Sequence, residues 1–350
     1  MNLDDSSRFT ELDTLNMLGE IEGLPDQLEK AWSLGNRLEL PTLPEINQVL
    51  VAGMGGSAIG ADLLAAYIEP FCKVPLFIQR DYTLPAWASG SQTLVIASSH
   101  SGNTEETLSV FEQARQAGCS LFVVSTGGKL MHLAAESGIP VWKFEHSGQP
   151  RAAVGYSFGL LLALFERLGL IPAQDGEIAD ALQALREQQA VLRADVPAVQ
   201  NPAKRQAGQM MGRWVVVLGA GLLAPVARRW KGQISELAKA WGQFEALPEA
   251  DHNTLAGIGF PEGALTNTLV IFLRSASDHP RNRLRSELTL QSFMVAGMGT
   301  DFYKAKGSTR LAQLWTALHY GDYTAYYLAM AYNVDPTPIP AISALKEAMA

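Results

Sequence analysis

Cysteine is scarce in this sequence, and long apolar runs are missing. Only Cys72 and Cys119 occur among the 350 residues, without a CxxC spacing, which excludes a disulfide framework and a cysteine-based metal site. No uncharged apolar stretch reaches about 18 residues, and the opening stretch MNLDDSSRFTELD is acidic where a signal peptide begins with basic residues. The sequence therefore predicts neither a membrane protein nor a secreted one, and we expect two reduced core cysteines in a cytoplasmic protein.

Clusters of basic residues are missing as well. The 27 lysines and arginines are outnumbered by 35 aspartates and glutamates, which gives a formal net charge of −8. A nucleic-acid surface needs Lys and Arg clustered on one face, so this class of partner is excluded. An acidic protein can still hold an anionic ligand, because helix N-termini offer backbone N–H groups to a phosphate whatever the net charge.

The composition is that of a folded protein, with 47% hydrophobic residues, 18% charged residues and 31 glycines. Chains longer than about 250–300 residues tend to divide into domains, because a single hydrophobic core stops growing at that size. We expect two domains in this chain, comprising residues 1–172 and 173–350.

Short β-rich runs alternate with Gly/Ser turns and amphipathic helical runs, which is typical of an α/β fold with parallel sheets flanked by helices. In the first half the predicted strands are Gln48–Ala52, Val74–Gln79, Thr93–Ser98, Leu121–Ser125 and Pro140–Phe144. The predicted helices there are Leu12 to Leu34, Ala58–Ile68, Glu105–Ala117, Leu130–Ser137 and Tyr156–Leu168.

A charged helix from Glu177 to Arg193 connects the halves, and the alternation then restarts. The predicted strands of the second half are Trp214–Leu218 and Thr268–Arg274, and its helices are a run through Lys239, Pro280 to Val295, Arg310 to Tyr332 and a last short helix to Ala350. Gly53 and Gly219 end comparable strands, and Ser98 and Ser275 end another pair at a similar offset. This repetition predicts a duplicated α/β unit.

The most informative turn is SSHSGNT, residues 98–104. Four hydroxyl residues and a glycine stand where a strand passes into a helix, so hydroxyl groups and unpaired backbone N–H groups converge there. Ligands of parallel sheets bind at the carboxyl ends of the strands, so the turn predicts a phosphate site. The alternative is a simple N-cap, in which Ser101 or Asn103 caps a helix that begins with Glu105 and Glu106.

The segment GMGGSAIG, residues 53–60, also follows a strand and opens a helix. Read as G-x-G-x-x-A, it is a weak match to the dinucleotide fingerprint. The match fails downstream, because the only acidic candidate for the ribose is Asp81, about 28 residues further on. A P-loop is excluded, since Gly127-Gly128-Lys129 is followed by Leu130.

Titratable residues cluster in the second half of the chain. Glu236 lies in an apolar stretch where partial burial favours a general base, and His252 lies in a polar turn that can present an imidazole to a cleft. The neighbouring carboxylates are Glu245, Glu249 and Asp251. The six histidines show no HxH or HxxxH spacing, so we expect no metal site.

Seven segments, in order along nearly the whole chain, carry a resemblance: GMGGSAIGADLL, SSHSGNTEET, GQPRAAVGYSFG, QISELAK, LPEADHNTL, YGDYTAYYLAMAYNVDPTPI and LKEAMA. The chain resembles the bifunctional phosphoglucose/phosphomannose isomerases, which are built from two sugar-isomerase (SIS) domains. SGNT alone is typical of any SIS domain, including those of amidotransferases and sugar-phosphate sensors. The segments PRAAVGYS, PEADHN and DPTP are the specific part of the resemblance.

The resemblance implies an aldose–ketose isomerase of glycolysis and gluconeogenesis. It would interconvert glucose 6-phosphate, and also mannose 6-phosphate, with fructose 6-phosphate through a cis-enediol, with no cofactor and no metal. The partners implied are the sugar phosphate and a second copy of the chain, in a homodimer where the loop carrying His252 crosses to the neighbouring subunit's site. The implied site residues are Gly56, Ser57, Ser99, Ser101 and Thr104 at the phosphate, Arg151 beside the reacting carbons, Glu236 as the base, His252 for ring opening and Lys346 near the ring oxygen.

His100 and Lys346 each have a feature that bears on the implied site. His100 stands where the family usually has Tyr, which bears on phosphate affinity and not on the chemistry. Lys346 has a structural alternative, because a lysine close to a chain's carboxyl terminus commonly complements a helix dipole.

Two other functions compete with the isomerase. A regulatory SIS module that senses a sugar phosphate would keep SSHSGNT but would need no base, which Glu236 and His252 count against. An NAD(P)-dependent oxidoreductase rests on GMGGSA alone.

Overall fold

The computed structural model describes residues 2–349, which form two compact units. The first unit comprises residues 23–182, and the second comprises residues 2–22 together with residues 183–349. The helices are α1 (Ser7–Leu12), α2 (Met17–Glu22), α3 (Leu24–Arg37), α4 (Gly55–Ile68), α5 (Glu105–Gln116), α6 (Gly128–Glu136), α7 (Val154–Arg167), α8 (Asp175–Gln189), α9 (Pro202–Met210), α10 (Ala224–Ala238), α11 (Glu262–Thr266), α12 (Pro280–Val295), α13 (Arg310–Tyr332) and α14 (Pro340–Met349). The strands are β1 (Gln48–Ala52), β2 (Leu76–Gln79), β3 (Thr93–Ser99), β4 (Ser120–Ser125), β5 (Val141–Lys143), β6 (Trp214–Ala220), β7 (Gly242–Leu247), β8 (Thr268–Arg274) and β9 (Gly299–Lys304).

The first unit contains a parallel sheet in the order β2-β1-β3-β4-β5. Its central strand β3 is buried along its whole length, as expected for a parallel strand that is covered on both faces. One face of the sheet packs on Phe111 of α5 and Leu130 of α6 through Leu50, Val95 and Val123. On the other side α4 contacts the sheet, and α7 packs against α3 and α4. The carboxyl ends of β1 and β3 therefore open between two helical layers.

The second unit contains a parallel sheet in the order β7-β6-β8-β9, which is the order of the first sheet without its fifth strand. β6 takes the place of β1, and β8 takes the place of β3. One face packs on Phe293 of α12, and the other contacts α10, which packs against α13. The topology confirms the predicted duplication and the α/β class with parallel sheets flanked by helices.

The amino-terminal residues pack within the second unit. The ring of Phe9 meets the rings of Tyr326 and Tyr327 of α13, each at 6.1 Å between centroids. His319 Nε2 of α13 donates to the carbonyl oxygen of Ile21 at 2.8 Å. The compact units therefore differ from the predicted domains 1–172 and 173–350. Residues 2–22 belong to the unit of the carboxyl-terminal half because they make apolar and hydrogen-bonding contacts with α13. The other division, at 182/183, lies inside α8.

Several elements confirm the predictions, with β1, β8, α12 and α13 matching at both ends. The single helix predicted from Leu12 to Leu34 is wrong. The chain forms α1, α2 and α3 there, because Asn16 adopts a left-handed conformation (φ 55°) and Pro25 fits only the first turn of a new helix. The edge strands β7 and β9 and the helix α9 were not predicted from the sequence. Both edge strands carry mixed polar residues and are partly exposed, so they lack a clear apolar run.

Both cysteines are free thiols. They are only partly buried, whereas the sequence predicts fully buried core positions. Cys72 lies in the turn after α4, and Cys119 packs at the margin of the first unit's core. Burial raises the pKa of both thiols. Within residues 2–349, none of the helices combines the length and apolarity needed to cross a membrane.

Candidate active site

The SSHSGNT turn connects β3 to α5 and is held by its own hydroxyl groups. Ser99 Oγ lies 2.9 Å from Thr104 Oγ1 and accepts a hydrogen bond from the Gly102 N–H at 3.1 Å. Ser101 Oγ accepts from the Asn103 N–H at 3.2 Å. Ser99 is buried and Ser101 is exposed, so the turn presents hydroxyl groups from its interior to its surface.

No side chain caps α5. Thr104 occupies the N-cap position without a side-chain hydrogen bond to the helix, and Asn103 Oδ1 instead accepts from the Lys129 N–H at 3.0 Å. The capping alternative for Ser101 and Asn103 is therefore wrong. The first-turn N–H groups of α5 have no side-chain acceptor, which is the arrangement that suits an anion, although Glu105 and Glu106 lie in the same turn.

Two glycines bring the ends of β3 and β4 together. Gly102 has a φ of +66°, and a Cβ built on it would lie 1.8 Å from the carbonyl oxygen of Gly127. Gly128 has a φ of +75°, and its Cβ would lie 2.2 Å from the carbonyl oxygen of Ser101. A larger residue at either position would separate the two turns, so glycine is required by contact as well as by conformation.

The GMGG segment places the N-terminus of α4 beside the same strand ends. A Cβ on Gly53 would lie 2.9 Å from the carbonyl oxygen of Ser98, and one on Gly56 would lie 2.3 Å from that of Pro150. α4 begins without a side-chain cap and with no acidic residue in its first turn, so its N–H groups and dipole favour an anion. Ser57 lies in that turn and is buried.

Arg151 lies in the short 3₁₀ turn that precedes α7, and its side chain is only 4% exposed. Its Nη1 donates to Gln149 Oε1 at 3.4 Å. A small cavity is lined by residues from both turns and from this segment, namely Gly56, Ser57, Ser98, His100, Phe144, Pro150, Ala153 and Ser157. The first unit therefore gathers the predicted phosphate residues and the segment of Arg151 at one edge of its sheet, while their roles stay predictions.

His100 has a partner that sequence reasoning missed. Its Nε2 lies 2.9 Å from Nδ1 of His146, in the segment that follows β5. The only signal in the sequence is the proximity of His146 to the PRAAVGYS segment, which does not reveal a pair 46 residues apart.

Glu236 lies in the last turn of α10, at a cavity of about 670 Å³. The cavity is lined by Lys231, Ser235, Glu236, Lys239, Ala240, Trp241, Gly242, Ile339, Pro340, Ala341 and Ile342. Glu236 is partly buried, as predicted. Lys239 Nζ donates to the carbonyl oxygens of Glu236 and Pro336, which ties the end of α10 to the chain leading into α14. Trp241, 80% exposed, and the Ile339–Ile342 wall were not predicted as part of the site.

Lys346 lies on α14, which begins in the wall of this cavity. Ile342 lines the cavity, and Lys346 follows it by four residues, so both stand on the same side of the helix. Lys346 is exposed and lies in the last turn of α14. The structure thus brings its helix to Glu236, and the helix-dipole alternative remains compatible with its position.

His252 lies at the other end of the second unit's sheet. It is exposed at the end of a 3₁₀ turn (Glu249–His252) beyond the carboxyl end of β7, whereas Glu236 precedes the amino end of β7. The six residues of β7 span about 20 Å. Asp251 anchors the histidine turn, because its carboxylate accepts from Thr289 Oγ1 at 2.8 Å and from Arg285 Nη1 at 3.1 Å. A single copy of this unit therefore separates the two predicted proton-transfer groups.

The remaining carboxylates of the predicted cluster are engaged locally. Glu245 Oε1 accepts from Gln243 Nε2 at 2.7 Å, and Glu249 Oε1 accepts from Asn253 Nδ2 at 3.0 Å. Among the residues that the structure describes, no group of three or more His, Cys, Asp or Glu is placed to hold a metal ion. The expected lack of a metal and of a cofactor stays a prediction.

Comparison with known proteins gives consistent matches along the chain. Residues 199–349 match the family model described as the bacterial phospho-glucose isomerase C-terminal SIS domain. The structure of a tagatose-6-phosphate ketose/aldose isomerase from Escherichia coli superposes with a TM-score of 0.71 at 18% identity, covering 91% of this chain and 94% of that one. This likeness supports the fold.

Sequence relatives are closer in identity. A bifunctional phosphoglucose/phosphomannose isomerase from Aquifex aeolicus is 34% identical and covers 85% of this chain and 89% of its own length. One from Caldicellulosiruptor bescii is 38% identical over 336 residues, which cover 95% of this chain and 99% of that protein. Identity at this level along almost the full length of both proteins shows that the chain belongs to the family of bifunctional phosphoglucose/phosphomannose isomerases.

Proposed function

We propose that this protein is an aldose–ketose isomerase that interconverts glucose 6-phosphate and mannose 6-phosphate with fructose 6-phosphate. The observation that carries the proposal is the 38% identity to an enzyme of that name over 95% of the chain. The first unit adds physical support, because two uncapped helix N-termini and several hydroxyl groups meet at one sheet edge, as a phosphate site requires. The two alternative functions, a sugar-phosphate sensor and an NAD(P)-dependent oxidoreductase, explain neither the membership of this family nor the carboxylate of Glu236 at its cavity.

The proposed chemistry moves one proton between C2 and C1 of the open-chain sugar. Glu236 takes the proton from one carbon and returns it to the other, so that a cis-enediol forms and collapses. The Arg151 guanidinium offsets the negative charge that develops on the substrate oxygen, and its burial keeps that charge effective. His252 and Lys346 exchange protons with the ring oxygen and the anomeric hydroxyl to open the ring. Gly56, Ser57, Ser99, Ser101 and Thr104 hold the phosphate and position the reacting carbons.

The activity is tested with purified protein after dialysis against EDTA. We expect both aldose phosphates to be formed from fructose 6-phosphate without added metal. Activity that returns only with Zn²⁺ would contradict the proposed mechanism, and the absence of turnover under all conditions would contradict the proposed function.

The base is tested by Glu236→Gln, with Glu249→Gln as the matched control. Replacing the carboxylate by an amide of the same shape should lower kcat by about 10²–10⁴ while substrate affinity changes little. Exchange of the C2 proton of glucose 6-phosphate in D₂O should fall equally. If Glu236→Gln keeps more than about a tenth of the wild-type kcat while Glu249→Gln loses it, the base is Glu249.

We also propose that the enzyme is a homodimer in which His252 serves the neighbouring subunit's site. The support is the length of β7 between Glu236 and His252 in one copy. Mixing inactive His252→Ala and Glu236→Gln subunits should restore about a quarter of the wild-type activity, because half the dimers are mixed and each has one intact site. Mixing Glu236→Gln with a chain carrying both substitutions is the control. If subunit exchange is demonstrated and no activity returns, both residues act within one subunit.

The cytoplasm is the proposed location, because the two cysteines are free thiols and the proposed substrates are intermediates of carbohydrate metabolism.

A further inference from the structure

We propose that His100 and His146 form a two-imidazole unit that binds the phosphate group of the substrate together with one proton. In this arrangement the pair carries a single positive charge in the complex, which the neutral pair lacks. The inference rests on the proposed function, because the ligand is the phosphate end of a sugar phosphate.

The contact between the two rings has the geometry of a shared proton. His100 Nε2 and His146 Nδ1 are 2.9 Å apart, and the rings stand nearly perpendicular, at 85°, with centroids 5.1 Å apart. Two neutral imidazoles form this bond only when one nitrogen donates and the other accepts. One proton more than the two N–H protons of the neutral pair leaves the bond in place and makes it charge-assisted, which strengthens it.

Aromatic rings hold the pair in position. Phe144 stacks on Tyr156 with centroids 4.9 Å apart. His100 makes a T-shaped contact with Phe144 at 5.9 Å, and His146 makes one with Tyr156 at 6.0 Å. Ring contacts fix the orientation of both imidazoles with little loss of entropy on binding.

The pair lies at the phosphate turn itself. His100 belongs to SSHSGNT, and its side chain lines the same small cavity as Gly56 and Ser57 of the first turn of α4 and Ser98 of β3. A positive charge there lies beside two helix N-termini, and all three features attract the same dianion. A tyrosine at position 100 would donate a hydrogen bond but would carry no positive charge.

Charged groups of both signs lie on the chain segments around the pair. The charged and titratable groups at the ends of the elements nearest to the turn are Lys143 and Glu145 at the end of β5, Arg151 before α7, Tyr156 in the first turn of α7, Lys129 at the start of α6 and Glu105 and Glu106 at the start of α5. The same helices carry Glu112, Arg115, His132, Glu136, Glu166 and Arg167 further along the chain. The carboxylates favour the protonated pair, and the cations oppose it. A bound phosphate dianion adds negative charge at the cavity and shifts the balance toward protonation.

Linkage gives the sign of the pH effect. If the complex holds a proton that the free protein has lost, affinity for phosphate is greatest at low pH and falls by up to about tenfold per pH unit as the free pair deprotonates. We expect this pH dependence in KM and not in kcat, because the pair is proposed to bind the phosphate group and not the carbons between which the proton moves.

The experiment measures proton uptake when inorganic phosphate binds. Wild-type protein, His100→Tyr, His146→Gln and His132→Gln are titrated calorimetrically at pH 7.5 in buffers of different ionisation enthalpy. His132 is an exposed histidine of α6 in the same unit and serves as the matched control. Phosphate's own titration is common to all four proteins and cancels in the comparison.

We expect wild-type protein and His132→Gln to take up as much as about one proton more per bound phosphate than His100→Tyr and His146→Gln. In the isomerase assay, KM for fructose 6-phosphate should rise more steeply with pH for wild-type protein and His132→Gln than for His100→Tyr and His146→Gln. The pH dependence of kcat should be the same in all four proteins. If His100→Tyr fails to fold, His146→Gln carries the test alone. Equal uptake by wild-type protein and a folded variant of the pair would overturn the inference while isomerase activity still supports the proposed function. Differential uptake without any isomerase activity would overturn the proposed function alone.

Discussion

Lowering the pH from 7.5 to 5 is expected to destabilise the second unit through one buried side chain, His319 of α13. The imidazole is fully buried, and its Nε2 donates to the carbonyl oxygen of Ile21 at 2.8 Å. A carbonyl only accepts, so the neutral ring carries its proton on Nε2, and an added proton must go to Nδ1. Nδ1 is buried with no hydrogen-bond partner among residues 2–349.

Burial lowers the pKa of His319 from 6.5 to about 4, against smaller opposing effects of the Ile21 carbonyl and Asp322. The folded protein therefore keeps the ring neutral at pH values where the unfolded chain binds a proton. Stability is fully present above pH 6.5 and is lost as the pH falls toward 4. The shift corresponds to a loss of about 2 kcal/mol between pH 7.5 and 5 and about 3 kcal/mol by pH 4.

The assay is urea unfolding at pH 7.5, 6 and 5, with hydrogen exchange of α13 peptides to assign the transition to this unit. His319→Gln keeps a donor for Ile21 but cannot titrate, so it should be less stable than wild type at pH 7.5 and should lose about 2 kcal/mol less on acidification. His279→Asn, at the exposed N-cap of α12, should behave as wild type. Equal losses of stability by wild type and His319→Gln between pH 7.5 and 5 would show that protonation of His319 does not destabilise this unit.

Two further predictions concern packing. Asp322 and Arg229 form a buried bidentate ion pair, with Nε–Oδ1 and Nη2–Oδ2 distances of 3.0 and 2.6 Å. Asp322→Asn leaves the arginine without its counter-charge, so the free energy of unfolding measured in urea should fall by about 3–5 kcal/mol. Asp195→Asn, at an exposed ion pair, should change it little, and equal losses would contradict the argument. Gly56→Ala would place a Cβ 2.3 Å from the Pro150 carbonyl oxygen, so α4 must move and KM for fructose 6-phosphate should rise by about tenfold or more. Gly176→Ala meets no atom within 4 Å and should leave KM unchanged; a similar rise in both variants would mean that the contact at Gly56 does not matter.

The sequence was sufficient where one physical signal is strong and local. The apolar run of β8 and the long helical pattern of α13 predict both elements with their ends, because buried parallel strands and buried helices need such runs. The density of hydroxyl groups in SSHSGNT likewise predicts a turn between a strand and a helix where hydroxyl and backbone N–H groups converge, and the structure has this turn between β3 and α5. Its phosphate-binding role stays a prediction. The edge strands β7 and β9 were not predicted because their mixed residues carry no clear strand pattern. They form strands because they pair with β6 and β8.

Tertiary structure alone decided which side chains meet. His100 and His146 are 46 residues apart and form a hydrogen bond because parallel pairing of β3 with β4 and of β4 with β5 brings the segments after β3 and β5 to the same end of the sheet. Residues 2–22 group with α13 because Phe9 and Ile21 find their partners there, far along the sequence. Glu236 and His252 show the reverse, since they are close in sequence but lie at opposite ends of β7. Two residues that are close in the sequence lie far apart in space when an extended strand of about 20 Å separates them.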